Sequence, residues 1–184
     1  MKGKIWTISN VLSLSRIVLM IPASYFLYAP MKFHREIAVL IILMAIITDA
    51  LDGFFARKFN EISDLGKIID PLADKIGVGI VVVMLTIFGD IPLWFTVIVL
   101  ARDGIIFLAG MYIKKKTAII LPSLLSGKIA VTFLAFTLVL AVLKYNFIDP
   151  LYNILIWVTI GILLYSFVTY AIRFISTLKK YSSQ

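Results

Sequence analysis

Six apolar runs, at residues 8–30, 36–56, 65–88, 91–113, 124–143 and 148–175, follow one another along nearly the whole of this 184-residue chain. Each is long enough to cross a hydrocarbon core, which takes about 20 helical residues. Charge does little to dilute them: 61% of the residues are hydrophobic and 15% charged, and the mean hydropathy is +1.03, well outside the range of soluble globular domains. The expected fold is therefore an all-α membrane protein with six transmembrane helices, preceded by residues 1–7 as a short amphipathic segment lying on the membrane. Nothing the size of a soluble domain is left over, so residues 1–184 read as one domain. The first apolar run is too long for a cleavable signal and lacks a small-residue cleavage site. The absence of cysteine excludes disulfides.

Orientation follows from the 18 Lys and Arg residues, because short loops rich in positive charge stay in the cytoplasm. Twelve of them, Lys2, Lys4, Arg57, Lys58, Lys67, Lys114, Lys115, Lys116, Lys128, Arg173, Lys179 and Lys180, belong to the termini and the second and fourth loops. The first, third and fifth loops hold three, Lys32, Arg35 and Lys144. Both termini are thus expected in the cytoplasm of a multi-pass cell-membrane protein. The net charge of +8 reads as this bias together with attraction to anionic headgroups. Dispersed along membrane edges, the basic residues do not suit a nucleic acid.

Against this apolar background, "DALDGFFARKFNEISDLGKIIDPLADK" at 49–75 carries Asp49, Asp52, Glu61, Asp64, Asp70 and Asp74. Asp49 and Asp52 are three residues apart near the end of the second span, and Asp70 and Asp74 four apart near the start of the third, so each pair shares a helix face. The midpoint of Asp52 and Asp70 is 61 and that of Asp49 and Asp74 is 61.5. In an antiparallel helix pair the couples would lie at matching depth, on the order of 10 Å inside the cytoplasmic helix ends at a 1.5 Å rise per residue. Intramembrane acids cost several kcal/mol each, and crowded like charges raise one another's pKa. Oxygen-only ligands at this density suit hard divalent cations, Mg²⁺ or Mn²⁺ first. The alternative is a metal-free ion-pair network with Lys75 and Arg57. Gly53, Ala56 and Gly66 strip side chains from the backbone beside the acids, leaving room for a ligand or for close helix packing.

In order, Asp49, Asp52-Gly53, Ala56-Arg57, eight residues, Gly66, Asp70 and Asp74 fit the pattern D-x2-D-G-x2-A-R-x8-G-x3-D-x3-D, and the chain resembles the CDP-alcohol phosphatidyltransferases that carry it. That resemblance implies transfer of a phosphatidyl group from CDP-diacylglycerol to an alcohol with release of CMP, in a homodimer. It further implies that Asp49, Asp52 and Asp70 hold two metal ions, that Asp74 is a metal ligand and the general base, and that Gly53, Ala56, Arg57 and Gly66 line the cytidine diphosphate pocket. The chemistry agrees independently, since cations neutralise a pyrophosphate and a carboxylate can take a hydroxyl proton.

Other intramembrane polar residues are candidates for binding. Asn10, Ser13 and Arg16 share a face of the first span and can reach the nucleotide, or else serve as a cap and an interfacial cation. Arg102, Lys128 and Arg173 all lie on cytoplasmic halves of spans, where a phosphate-bearing acceptor needs cations. Gly127 is expected to let the backbone turn close by. Arg102 and Asp103 alternatively form a self-satisfied pair, and Arg173 alternatively snorkels, its head reaching the interface. His34 reads as a surface histidine, and Trp6, Trp94 and Trp157 as interfacial anchors. Within the family, "ISNVLSLSRIVLMIP" is similar to the phosphatidylglycerophosphate synthases, which use glycerol 3-phosphate, whereas "ARDG" resembles the cardiolipin synthases, whose acceptor is phosphatidylglycerol. An inositol phosphate acceptor and an ether-lipid donor stay open. From another class, a divalent-cation transporter would also place acids between spans, but here the acids end in the cytoplasmic half.

Overall fold

The computed structural model describes residues 8–59, 66–117, 122–143 and 149–182; for 8–17, 46, 49–59, 66–74 and 182 it describes the backbone alone. Among the described residues every regular element is helical: α1 (Ile8–Tyr28), α2 (His34–Phe59), α3 (Gly66–Ile87), α4 (Leu93–Thr117), α5 (Leu125–Leu143) and α6 (Asp149–Ser182). The amphipathic segment expected at residues 1–7, with Trp6, lies outside the described residues. Among the described residues three helices, α4, α5 and α6, are long and apolar enough to cross a membrane, and shorter apolar stretches run through Val18–Tyr28 and Lys75–Ile87. Large apolar side chains such as Leu100 and Leu108 on α4, and Ile154 and Val168 on α6, are exposed. Lipid satisfies such surfaces where water would not.

Three helices outrun the apolar segments that announce them, α2 reaching Phe59 from a run that ends at 56. The run at 91–113 becomes α4 ending at Thr117, through Lys114, Lys115 and Lys116, and the run at 148–175 becomes a 34-residue α6 ending at Ser182. Hydropathy marks where oil ends, whereas a helix continues for as long as its backbone ladder is satisfied. At 1.5 Å per residue α6 is about 50 Å long, well beyond a core of about 30 Å.

The chain forms two compact units, Met1–Asp90 and Ile91–Gln184. In the first, α1 packs on both α2 and α3. Met20, Ala23 and Leu27 line one face of α1, while Ala38, Ile42 and Ala45 of α2 and Val81, Val82 and Leu85 of α3 are likewise buried. Alanines at such contacts let backbones approach, which is how helices gain packing energy in lipid. Pro22 withdraws an N–H from the ladder of α1, and nearby the Ser24 hydroxyl donates to the Met20 carbonyl at 2.7 Å.

The end of α3 explains one long-range ion pair. Gly89 has φ +73°, and the N–H groups of Gly89 and Asp90 turn back to the carbonyls of Thr86 (3.0 Å) and Leu85 (2.8 Å). This is the glycine-terminated helix end that only a residue free of Cβ adopts without strain. It delivers Asp90 to Arg35 at the start of α2, where Nη1 and Nη2 donate to Oδ2 and Oδ1 at 3.2 and 3.3 Å. Tyr28 stacks on Phe88 beside it, ring centroids 5.4 Å apart. His34 Nδ1 lies 3.0 Å from the Phe26 carbonyl, a structural role for that histidine.

In the second unit α6 packs on α4 and α5. Ala130, Leu134, Leu138 and Ala141 of α5 and Ile156, Ile160 and Leu163 of α6 are buried at helical spacing. Thr137 and Thr159 meet there at 2.8 Å, and Thr137 also donates to the Phe133 carbonyl, so neither of these two hydroxyls is stranded in the apolar interior. Trp94 and Trp157 stack at 5.2 Å.

Candidate functional site

All eight motif positions lie on helical backbone. Asp49, Asp52, Gly53, Ala56 and Arg57 fall in the last three turns of α2, and Gly66 opens α3, which carries Asp70 and Asp74 in its first turns. A three-residue step on α2 and a four-residue step on α3 therefore place the two backbone positions of each pair on one helix face. Residues 60–65, with Glu61 and Asp64, and the side chains of the motif lie outside the described residues, and so does the convergence of the four carboxylates. Asn10, Ser13 and Arg16 stand on the first turns of α1, with their side chains also outside the described set. No group of three or more His, Cys, Asp or Glu suited to a metal occurs among the described residues. The candidate donor set is thus the motif's own, four carboxylates of the hard-oxygen type that Mg²⁺ and Mn²⁺ prefer.

The candidate cations of the second unit are fully described, and they differ in situation. Arg102 on α4 is 8% exposed. Its Nη1 donates to Asp103 Oδ1 and its Nη2 to Ser166 Oγ of α6 at 2.6 Å, while its guanidinium carbon lies 5.9 Å from the centre of the Tyr170 ring. Its Nε is buried with no hydrogen-bond partner. The pairing with Asp103 expected as one alternative is present, yet it leaves a donor of the guanidinium unspent. A buried Arg with an unsatisfied N–H favours an additional acceptor, because each such group left without one costs about 1–3 kcal/mol. Lys128, one turn into α5, is exposed. Arg173 donates from Nη1 to the Pro122 carbonyl at 2.7 Å, which ties α6 to the segment entering α5.

Gly127 has a different role from the one its residue type suggests. It sits within the first turn of α5, and a Cβ there would lie 2.6 Å from Tyr170 Oη and 2.8 Å from Cε2. The missing side chain makes room for a tyrosine ring of α6 and is not spent on a turn. Sequence reasoning missed Ser166, Thr169 and Tyr170. The signal that marks them is a polar series, Ser166, Thr169, Tyr170 and Arg173, at i, i+3, i+4 and i+7 within a largely apolar helix.

Comparison with known proteins bears on both units. The model of the family described as CDP-alcohol phosphatidyltransferase matches residues 6–180. The chain is 33% identical over 173 residues to the CDP-diacylglycerol–glycerol-3-phosphate 3-phosphatidyltransferase of Aquifex aeolicus (strain VF5), a match covering 90% of this chain and 94% of that protein. It is 40% identical over 113 residues to the cardiolipin synthase (CMP-forming) of Homo sapiens, covering 61% of this chain but only 36% of the relative. To the CDP-diacylglycerol–glycerol-3-phosphate 3-phosphatidyltransferase of Rickettsia bellii (strain RML369-C) it is 34% identical over 99 residues, 53% of this chain and 54% of the other. A family match that begins before α1, takes in the motif on α2 and α3 and ends within the last turns of α6 leaves no room for the transporter reading: the chain belongs to the CDP-alcohol phosphatidyltransferase family.

Proposed function

We propose that this phosphatidyltransferase moves the phosphatidyl group of CDP-diacylglycerol onto the free hydroxyl of glycerol 3-phosphate, releasing CMP. The observation that carries the choice of acceptor is the likeness to the Aquifex aeolicus enzyme, which spans 94% of that protein. The cations of the second unit support it, since a phosphate monoester needs donors, and Arg102 keeps its Nε unspent.

In the reaction the acceptor hydroxyl oxygen forms a bond to the phosphorus that bears the diacylglycerol. The bond from that phosphorus to the bridging oxygen breaks, and CMP leaves with the electron pair. Asp74, on α3, takes the hydroxyl proton. Asp49, Asp52, Asp70 and Asp74 would hold two Mg²⁺ or Mn²⁺ ions, whose contribution is to neutralise the pyrophosphate and the charge developing on CMP. Gly53, Ala56, Arg57 and Gly66 admit and bind the cytidine diphosphate, with Asn10, Ser13 and Arg16 beside it. Arg102, Lys128 and Arg173 bind the acceptor phosphate.

In this reading all six helices cross the membrane, both termini and the site face the cytoplasm, and the protein works as a homodimer in the cell membrane. A family match running through both compact units supports treating 1–184 as one functional domain. The site then lies where a lipid-soluble donor meets a cytosolic acceptor. A second reading, transfer to phosphatidylglycerol, is favoured by the 40% identity to human cardiolipin synthase over 113 residues. Purified protein incubated with CDP-diacylglycerol, Mn²⁺ and a panel of alcohols, with CMP release followed, separates the two. Release with glycerol 3-phosphate is expected. Release with phosphatidylglycerol alone would move the assignment to the second reading, and release with neither would overturn both.

A further inference from the structure

Three consecutive contacts from α6 hold the chain where it enters α5. Arg173 takes the Pro122 carbonyl at 2.7 Å, Tyr170 Oη accepts the Leu124 N–H at 3.0 Å, and Ser126 Oγ meets Thr169 Oγ1 at 2.7 Å. Thr169 donates its own proton to the Ser166 carbonyl, so Ser126 is the donor of the last pair. Leu124 is the residue on which α5 starts, because its carbonyl accepts from the N–H groups of Gly127 (3.1 Å) and Lys128 (3.2 Å). Fixing the Leu124 N–H therefore fixes the direction in which the first turn of α5 sets out.

Tyr170 also reaches α4. Its ring lies 5.9 Å from the Arg102 guanidinium, a distance at which cation and ring attract. The opposite contact is the Gly127 backbone, so close that a methyl group there would overlap the ring. One side chain thus spans the separation between Arg102 and the turn carrying Lys128, and a tyrosine does so with only two rotatable bonds to hold.

We infer that Tyr170 is a positioning residue for the acceptor: by bonding the Leu124 N–H while lying against Arg102 and Gly127, it sets Arg102 and Lys128 at a fixed spacing. The inference rests on the assignment of those two cations to the acceptor. Tyr170→Phe tests it with least disturbance, because the ring stays and only the bond to Leu124 is lost. Gly127→Ala tests it from the other side, because a Cβ 2.6 Å from Tyr170 Oη and 2.8 Å from Cε2 displaces the ring together with its hydroxyl.

Both variants would be compared with the wild-type protein by steady-state kinetics, varying CDP-diacylglycerol and the acceptor separately, and by hydrogen–deuterium exchange of segment 122–128. Loss of a single net hydrogen bond predicts an acceptor KM raised about threefold to tenfold in Tyr170→Phe, with the KM for CDP-diacylglycerol and kcat within about twofold of wild type. Exchange at Leu124 should quicken by a similar factor, and Gly127→Ala should show the same split. The proposal is overturned if the acceptor KM stays at the wild-type value in both variants, if both KM values rise together, if turnover is lost altogether, or if exchange at 122–128 does not change. Should the wild-type protein turn over phosphatidylglycerol and not glycerol 3-phosphate, the acceptor assignment fails by itself. Tyr170 is then judged by the KM for phosphatidylglycerol and by exchange, which needs no acceptor.

Discussion

Nη2 of Arg102 on α4 donates to Oγ of Ser166 on α6 at 2.6 Å, joining two buried residues that stand 64 positions apart in the chain. With Asp103 on the other terminal nitrogen, this bond lets a guanidinium stay inside an apolar helix packing. Ser166→Ala should therefore leave a second buried donor of Arg102 without a partner. The expected loss is about 1–3 kcal/mol of stability, read as a lower unfolding midpoint in detergent. An unchanged midpoint would mean that the bond contributes nothing net.

Removal of the cation itself should act on one substrate. Arg102→Ala and Lys128→Ala are each expected to raise the apparent KM for glycerol 3-phosphate by about tenfold or more, the effect of losing one charge-assisted hydrogen bond, and to leave that for CDP-diacylglycerol nearly unchanged. Arg102→Lys should rescue poorly, because an ammonium cannot serve Asp103, Ser166 and a phosphate with a planar fork. Equal effects on both substrates, or none, would favour phosphatidylglycerol as the acceptor.

Metal dependence follows from the donor set on α2 and α3. Excess EDTA should abolish CMP release, and added Mg²⁺ or Mn²⁺ should restore it. Full activity in chelator would sink the two-ion reading.

Among the carboxylates, Asp70→Asn keeps the size of the side chain and removes its charge. Transfer should fall by about a hundredfold or more, as is typical when electrostatic stabilisation of a transition state is withdrawn. Asp64→Ala, in the connection between α2 and α3, should stay within a few-fold of wild type. Equal losses in the two variants would remove Asp70 from the proposed ligands.

A fifth expectation concerns Arg35 and Asp90, paired through Nη1 and Nη2 of the guanidinium at 3.2 and 3.3 Å, with the Asp90 side chain 1% exposed. Arg35→Ala would take both of these bonds from a buried carboxylate and should cost about 1–3 kcal/mol of stability. In a double-mutant cycle, adding Asp90→Asn should recover part of that loss. Strictly additive losses would show that the two side chains act independently.

Sequence alone determined the helical class and the family. Runs of apolar residues as long as a bilayer is thick permit few folds, because lipid offers a backbone no hydrogen bonds, and the eight-position motif names its family through residue types at fixed local spacing. The local pair Arg102 and Asp103 was legible for the same reason, since adjacency is written in the chain. What only tertiary structure decided are the partners across helices: Ser166 for Arg102, Tyr170 for the Leu124 N–H, Asp90 for Arg35, and Gly127 as the space for a ring. Each depends on the depth and rotation at which two helices pack. In lipid those are set by close fitting of small residues and a few polar contacts, which a periodic apolar pattern leaves free because every face of such a helix is compatible with oil.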